Sequence, residues 1–236
     1  MTGERFQVVI RMSESTVTRL ARTGFSLYAF RAVQDTGKSS RPLIWFRTRG
    51  YSTTTPVSWT NQYHAYTSSG PITRGGCVTP GFSVDLAPGQ TLRVRAGRIG
   101  DVLWEGPPTG LSLLNTTAER FTCGLSQVME GTARPFWACP LDGNHLATVA
   151  PLDKVLLLFS TLDLAPGTIV EHFHDAGAPA GVWGPGVRID LTQGREREVG
   201  YDLDRGWDWG GFTWAQQVAP NANLVPWLIE PPAAPS

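Results

Sequence analysis

Two stretches of this chain spell one pattern. Gly81-Phe-Ser-Val-Asp-Leu-Ala-Pro-Gly-Gln-Thr-Leu-Arg-Val94 and Gly186-Val-Arg-Ile-Asp-Leu-Thr-Gln-Gly-Arg-Glu-Arg-Glu-Val199 both read Gly-x-x-apolar-Asp-Leu-x-x-Gly-x-x-x-x-Val. The same spacing carries Trp104 onto Trp209 and Gly106 onto Gly211. Upstream, Leu43-Ile-Trp-Phe-Arg-Thr48 matches Leu156-Leu-Leu-Phe-Ser-Thr161, the length difference falling in the loop between, where lengths vary freely. Collinear matches of this kind predict two diverged copies of one unit in tandem.

Each unit reads as strands. Phe6–Met12 and Phe25–Val33 are β-rich runs with partial alternation. Leu43–Thr48 and Val155–Thr161 are nearly continuous apolar runs, as in strands buried on both faces. Val57–Tyr66 alternates apolar or aromatic residues with polar ones. The Asp-Leu-x-x-Gly segments predict strand, tight turn, strand, with Gly89 and Gly194 at the positive-φ position of a hairpin and Asp85 and Asp190 capping the turns. One short helix is expected near residues 15–22, capped by Ser13 and stopped by Gly24. The fold class is therefore all-β: two β-sandwich-like units over 1–106 and 111–230, or one pseudo-twofold sandwich built by both. Glu105-Gly-Pro-Pro-Thr-Gly110 is the boundary and residues 231–236 a flexible tail.

Composition removes several functions. Lys+Arg and Asp+Glu balance at 20 each, which gives no electrostatic footprint for nucleic acid. No apolar stretch is long enough for a transmembrane segment, and the N-terminus has no signal core, so a cytoplasmic location is expected, with unconventional secretion left open. Three cysteines without paired spacing, Cys77, Cys123 and Cys139, read as reduced thiols. No P-loop, Gly-x-Gly-x-x-Gly, paired Cys-x-x-Cys or Gly-x-Ser-x-Gly motif is present.

Two constellations remain. Trp59-Thr-Asn-Gln-Tyr-His-Ala-Tyr66 would place Trp59, Asn61 and Tyr63 on one strand face, with His64 and Tyr66 on the other. A flat ring beside an amide and a hydroxyl suits a sugar or another small polar ligand. Trp207 and Trp214, in the Gly-rich Gly206–Trp214 segment, extend that set of ligand-binding candidates, while the equivalent Trp104 and Trp209 are expected in the core. The second constellation is Gly167-Thr-Ile-Val-Glu-His-Phe-His-Asp175, in which His172 and His174 would share a strand face and could hold one divalent metal, with Glu171, Asp175, His64 or His145 as a further ligand. This segment resembles the first metal motif of the cupins. The resemblance implies His172 and His174 as ligands, and this chain lacks the Glu and the later His of the cupin pattern. Tyr201-Asp-Leu-Asp204 is a weaker acidic pair for Ca²⁺. The leading reading is a non-catalytic binding protein for a glycan or lipid headgroup. The alternatives are a metal-dependent, cupin-like enzyme and a self-assembling protein, since near-zero net charge and free strand edges favour homo-oligomers.

Overall fold

A computed structural model of the chain describes residues 4–35, 37, 39–172, 183–220 and 222–232. The fold is all-β. In chain order the first strands are β1 (Arg5–Arg11), β2 (Ser26–Asp35), β3 (Arg41–Pro42), β4 (Phe46–Thr48), β5 (Thr54–Thr60), β6 (Tyr63–Ser68), β7 (Phe82–Leu86), β8 (Thr91–Val94) and β9 (Gly100–Leu103). They are followed by β10 (Leu111–Asn115), β11 (Phe121–Met129), β12 (Thr132–Leu141), β13 (Leu146–Ser160), β14 (Trp183–Asp190), β15 (Glu196–Asp202), β16 (Gly206–Asp208), β17 (Ala215–Val218) and β18 (Ile229–Glu230). Helix α1 (Glu14–Arg22) forms where the capping residues place it: the Ser13 hydroxyl accepts the Thr16 N–H at 3.1 Å, Leu20 is buried, and Gly24 follows at φ 76°. A short helix α2 (Val225–Leu228) lies near the C-terminus.

These strands form three sheets. A four-stranded sheet runs β16-β15-β1-β5, a five-stranded sheet β3-β12-β11-β6-β7, and a nine-stranded sheet follows β17-β14-β13-β10-β8-β9, with β2 pairing β13, β4 and β18 beside that path. Every sheet draws strands from both sides of residues 106–111. Thus β1 pairs in parallel with β15, matching Ile10 to Val199, and β2 pairs with β13, matching Ala29 to Leu157.

The two similar segments lead into different surroundings. In the first, β7 belongs to the five-stranded sheet and β8 to the nine-stranded one; in the second, β14 belongs to the nine-stranded sheet and β15 to the four-stranded one. Neither is the expected hairpin, because each turn is a corner where the chain changes sheets. Gly89 takes φ 86°, whereas Gly194 is outside the left-handed region. Asp190 caps its turn as expected, accepting the Thr192 N–H at 2.8 Å. In the first segment that work falls to Gln90, whose Oε1 accepts the Ala87 N–H at 2.7 Å, and Asp85 turns to His64 instead. Trp209 packs partly buried on the core, but Trp104 is 84% exposed. The expectation of a shared core role fails at Trp104 because it lies just past the end of β9, the edge strand of the nine-stranded sheet.

The apolar run Val155–Phe159 is buried on both faces, as its composition predicts. Val155, Leu157 and Phe159 enter the main core between the sheets, and Leu156 and Leu158 face a second cluster with Tyr28, Phe30, Leu224 and Leu228. Each such side chain is worth about 1.5–3 kcal/mol of burial. Leu43–Phe46 is also buried, yet it becomes strand only at Phe46, Leu43 making a single bridge to Ile169. A third cluster, with Leu43, Tyr66, Val78, Ala138 and Ile169, packs around Tyr66. There Tyr66 lies across β11 and donates its hydroxyl to the Trp137 carbonyl at 3.1 Å. A Cβ at Gly124 would sit 2.4 Å from that hydroxyl oxygen and 2.1 Å from the carbonyl, so only glycine admits the ring.

All five tyrosines, Tyr28, Tyr51, Tyr63, Tyr66 and Tyr201, have phenol pKa values raised from 10, chiefly by burial, Tyr201 to about 12. A raised folded-state pKa gives stability that is complete below the unfolded value and is lost as pH climbs through the folded one. An ultraviolet titration should therefore show less tyrosinate at pH 10 in the folded protein than in the denatured chain, and its appearance at higher pH should accompany loss of near-UV circular dichroism. A phenol with an ordinary midpoint of 10 in the folded protein would contradict this packing.

Candidate functional site

The turn at Asn61 and Gln62 decides the fate of the Trp59–Tyr66 constellation. It divides the expected single strand into β5 in the four-stranded sheet and β6 in the five-stranded one. Trp59, Tyr63 and Tyr66 are buried, at 2%, 6% and 0% exposure, and pack into the core clusters. The structure nevertheless gathers Trp59 and Tyr63 around one residue, Arg31, with Asn61 bonded to the nearby Asp153.

Arg31 occupies the inward-facing row of β2, after Leu27 and Ala29 and before Val33, where the alternation calls for an apolar side chain. It is fully buried, with its guanidinium carbon 4.9 Å from the ring centroid of Trp59 and 5.5 Å from that of Trp45. The two indoles meet edge to face at 5.5 Å. Tyr63 faces the guanidinium without reaching hydrogen-bond geometry, and among the described residues none of the three guanidinium nitrogens has a partner. Burial lowers the Arg31 pKa, opposed by Tyr63 and by Asp153. Asp153 comes from the irregular stretch of β13 between Pro151 and Val155, where pairing with β2 shifts register. Its carboxylate accepts the Asn61 side-chain N–H at 3.3 Å; Asn61 in turn accepts from buried Gln127 at 3.2 Å, and Gln127 donates to the Thr60 carbonyl at 3.0 Å. This is a polar node where the three sheets meet, with Arg31 and Gln127 at its buried end and Asn61 and Asp153 partly exposed.

An accessible cleft of about 530 Å³ lies elsewhere, between the end of β1, the start of α1 and the β15–β16 turn. Tyr201 and Trp207 form its floor, 4.7 Å apart and both packed on Phe159. The Trp207 indole N–H is used internally, donating to the Pro185 carbonyl at 2.8 Å. At the rim, Asp202 accepts the backbone N–H groups of Asp204 and Arg205 and the Thr16 hydroxyl, and these hold its pKa below the ordinary carboxylate value. Arg11 is tied to Glu198 and Thr54. Arg205 is different: its side chain is 88% exposed and its nearest carboxylate oxygen, on Asp202, is 3.8 Å away. Beyond β16, Trp214 is half-buried, stacked on exposed Phe212 and covered by Arg197 at 5.2 Å.

The proposed metal ligands that the structure describes have other partners. His64 Nδ1 bonds Asp85 at 2.9 Å, Glu171 forms an ion pair with Arg41 and lies 3.8 Å from Arg74, and His172 makes a backbone bridge with Asn223. His174 and Asp175 lie outside the described residues. Among the described residues there is no group of three metal-binding side chains. The Asp202 and Asp204 pair is likewise committed to α1, Asp204 meeting Arg19 at 2.6 Å. No family model, curated protein or solved structure matches this chain.

The node was missed in the sequence because Arg31 was absorbed into a β-rich run; the signal was a charge on the apolar phase of that strand. An unpaired buried guanidinium is costly, and replacing buried charge by an apolar chain of similar volume is commonly neutral or stabilising. Arg31→Met is expected to raise the unfolding free energy in urea by about 1 kcal/mol or more. A loss of more than about 1 kcal/mol would show that the guanidinium makes stronger bonds than the node provides.

Proposed function

We propose that this chain is a binding protein for a small polar ligand, a glycan or lipid headgroup that carries an anionic group, held in the cleft over Tyr201 and Trp207. The observation that supports this reading is the combination in one open cleft of an aromatic floor with an under-partnered cation, Arg205. The exposed edges of the two rings, 6% of Tyr201 and 7% of Trp207, take an apolar edge of a sugar or the stem of a headgroup, and a guanidinium takes a carboxylate or phosphate with two aligned donors. The remaining polar groups of the rim are already engaged in fixing the β15–β16 turn, which gives a rigid wall rather than additional chemistry. Trp207 is the ligand-binding candidate from the sequence that lines this cleft.

Arg205 is the residue to change, because its exposure leaves the fold indifferent to it. A glycan array and liposomes of defined headgroup distinguish the two ligand sources. A sugar or headgroup bound by the wild-type protein should bind about tenfold more weakly to Arg205→Glu, the loss of roughly one charge-assisted hydrogen bond. Blank results on both surfaces, or a hit insensitive to Arg205→Glu, would overturn the assignment.

A further inference from the structure

On the five-stranded sheet, away from this cleft, two cysteines stand directly opposite each other. Cys123 of β11 and Cys139 of β12 are register partners on antiparallel strands. Directly opposed residues have Cα atoms about 4.5 or 5.5 Å apart, and both values fall within the roughly 4.4–6.8 Å that a disulfide spans. Opposed side chains also leave the sheet on one face. The neighbours fix that face: Phe121 and Leu125 on β11, and Trp137 and Leu141 on β12, enter the main core in step with the two cysteines. The two thiols lie within hydrogen-bond reach of each other. Cys123 is fully buried, whereas Cys139 is 5% exposed and lines a cleft of about 210 Å³ together with Asp35, Ser40, Arg120 and His145. Cys77 stands apart: it is exposed, bridges Thr168 and donates to the Pro166 carbonyl at 3.6 Å. We propose that Cys123 and Cys139 are a dithiol site that a small peroxide entering this second cleft converts to a cross-strand disulfide, locking β11 to β12.

Access sets the order of the steps: Cys139, on the cleft, meets the oxidant, and Cys123, behind it, resolves the product. The Cys139 sulfur, as thiolate, attacks one oxygen of hydrogen peroxide. The O–O bond breaks, Cys139 becomes a sulfenic acid, and the departing hydroxide takes the thiol proton to form water. The Cys123 sulfur then attacks the Cys139 sulfur. The S–O bond breaks as the S–S bond forms, and the leaving hydroxide combines with the Cys123 proton as a second water. The dithiol loses two electrons and the peroxide gains two. The contact with Cys123, burial, and the Asp35 carboxylate of the same cleft hold the Cys139 thiol well above its ordinary pKa. Thiolate is therefore scarce at neutral pH, and the first step is slow.

Hydrogen peroxide added to the folded wild-type protein tests the site directly. After the excess is removed, the protein is unfolded, alkylated, digested and weighed. Trypsin leaves Cys123 and Cys139 on one peptide, Phe121–Lys154, because Arg134 precedes a proline. The expected result is that this peptide loses two hydrogens and both of its alkylation sites, that reduction before alkylation restores both, and that Cys77 is linked to neither. Cys77→Ala should form the same bond at the wild-type rate. In Cys123→Ala the resolving thiol is gone, and peroxide should leave Cys139 as a sulfenic or sulfinic acid. Circular dichroism of each variant verifies folding. Two cysteines still open to alkylation after peroxide treatment of the folded wild-type protein, two cysteines oxidised separately without a link, or a disulfide that requires Cys77 overturns the proposal.

Discussion

The interaction on which the rest of the structure depends is the burial of β13 on both of its faces. A strand with only one apolar face can end a fold; a strand with apolar side chains on both must be covered twice. Val155, Leu157 and Phe159 are covered by the main core, and Leu156 and Leu158 by a second cluster closed by residues from β2 and the C-terminal segment. β13 therefore lies inside the nine-stranded sheet, with β2 and β14 beside its apolar half and β10 beside its N-terminal half. The pairing of this 15-residue strand with β2 shifts register between Pro151 and Val155, at a proline that has no N–H to give the ladder.

The same irregularity places Asp153 beside Asn61, within electrostatic reach of Arg31, so the central strand also determines the polar node. The four- and five-stranded sheets reach this point through Trp59 and Tyr63 on either side of the Asn61–Gln62 turn. The consequence is a division of labour. Aromatic side chains join the three sheets in the interior, and at the β15–β16 end of the four-stranded sheet Tyr201 and Trp207 line an open cleft.

What the sequence disclosed was local. Ser13 and Gly24 marked α1 because a cap acts on the next three residues. Asp190 marked its turn for the same reason. The run 155–159 announced double-sided burial because five consecutive apolar residues admit no solvated face. What it concealed was non-local. The alternation from Val57 to Tyr66 lapses at the turn, where Thr60, Asn61 and Gln62 are all polar, but Trp59 and Tyr63 stay in phase across it, and that phase conceals that the stretch serves two sheets. Gly-x-x-apolar-Asp-Leu predicts a turn in both segments, but the sheet each arm joins is set by partners far away in the chain. Trp104 and Trp209 occupy matching positions, and their burial differs because one lies just past an edge strand and the other packs on the core. The pairing of Cys123 with Cys139 is likewise a product of register between two strands and has no signature in either one alone.

Because each sheet takes strands from both halves, residues 1–106 and 111–230 should unfold together rather than as two modules. Native-state hydrogen exchange measures this most directly. The amides of Leu156–Ser160 in β13, Leu27–Arg31 in β2 and Val8–Ile10 in β1 should form one slowest class, exchanging only through global opening and sharing its dependence on denaturant. A slow class confined to residues 111–230, with β1 and β2 exchanging through a separate and less costly opening, would contradict the account of β13 as the strand that binds both halves into one cooperative fold.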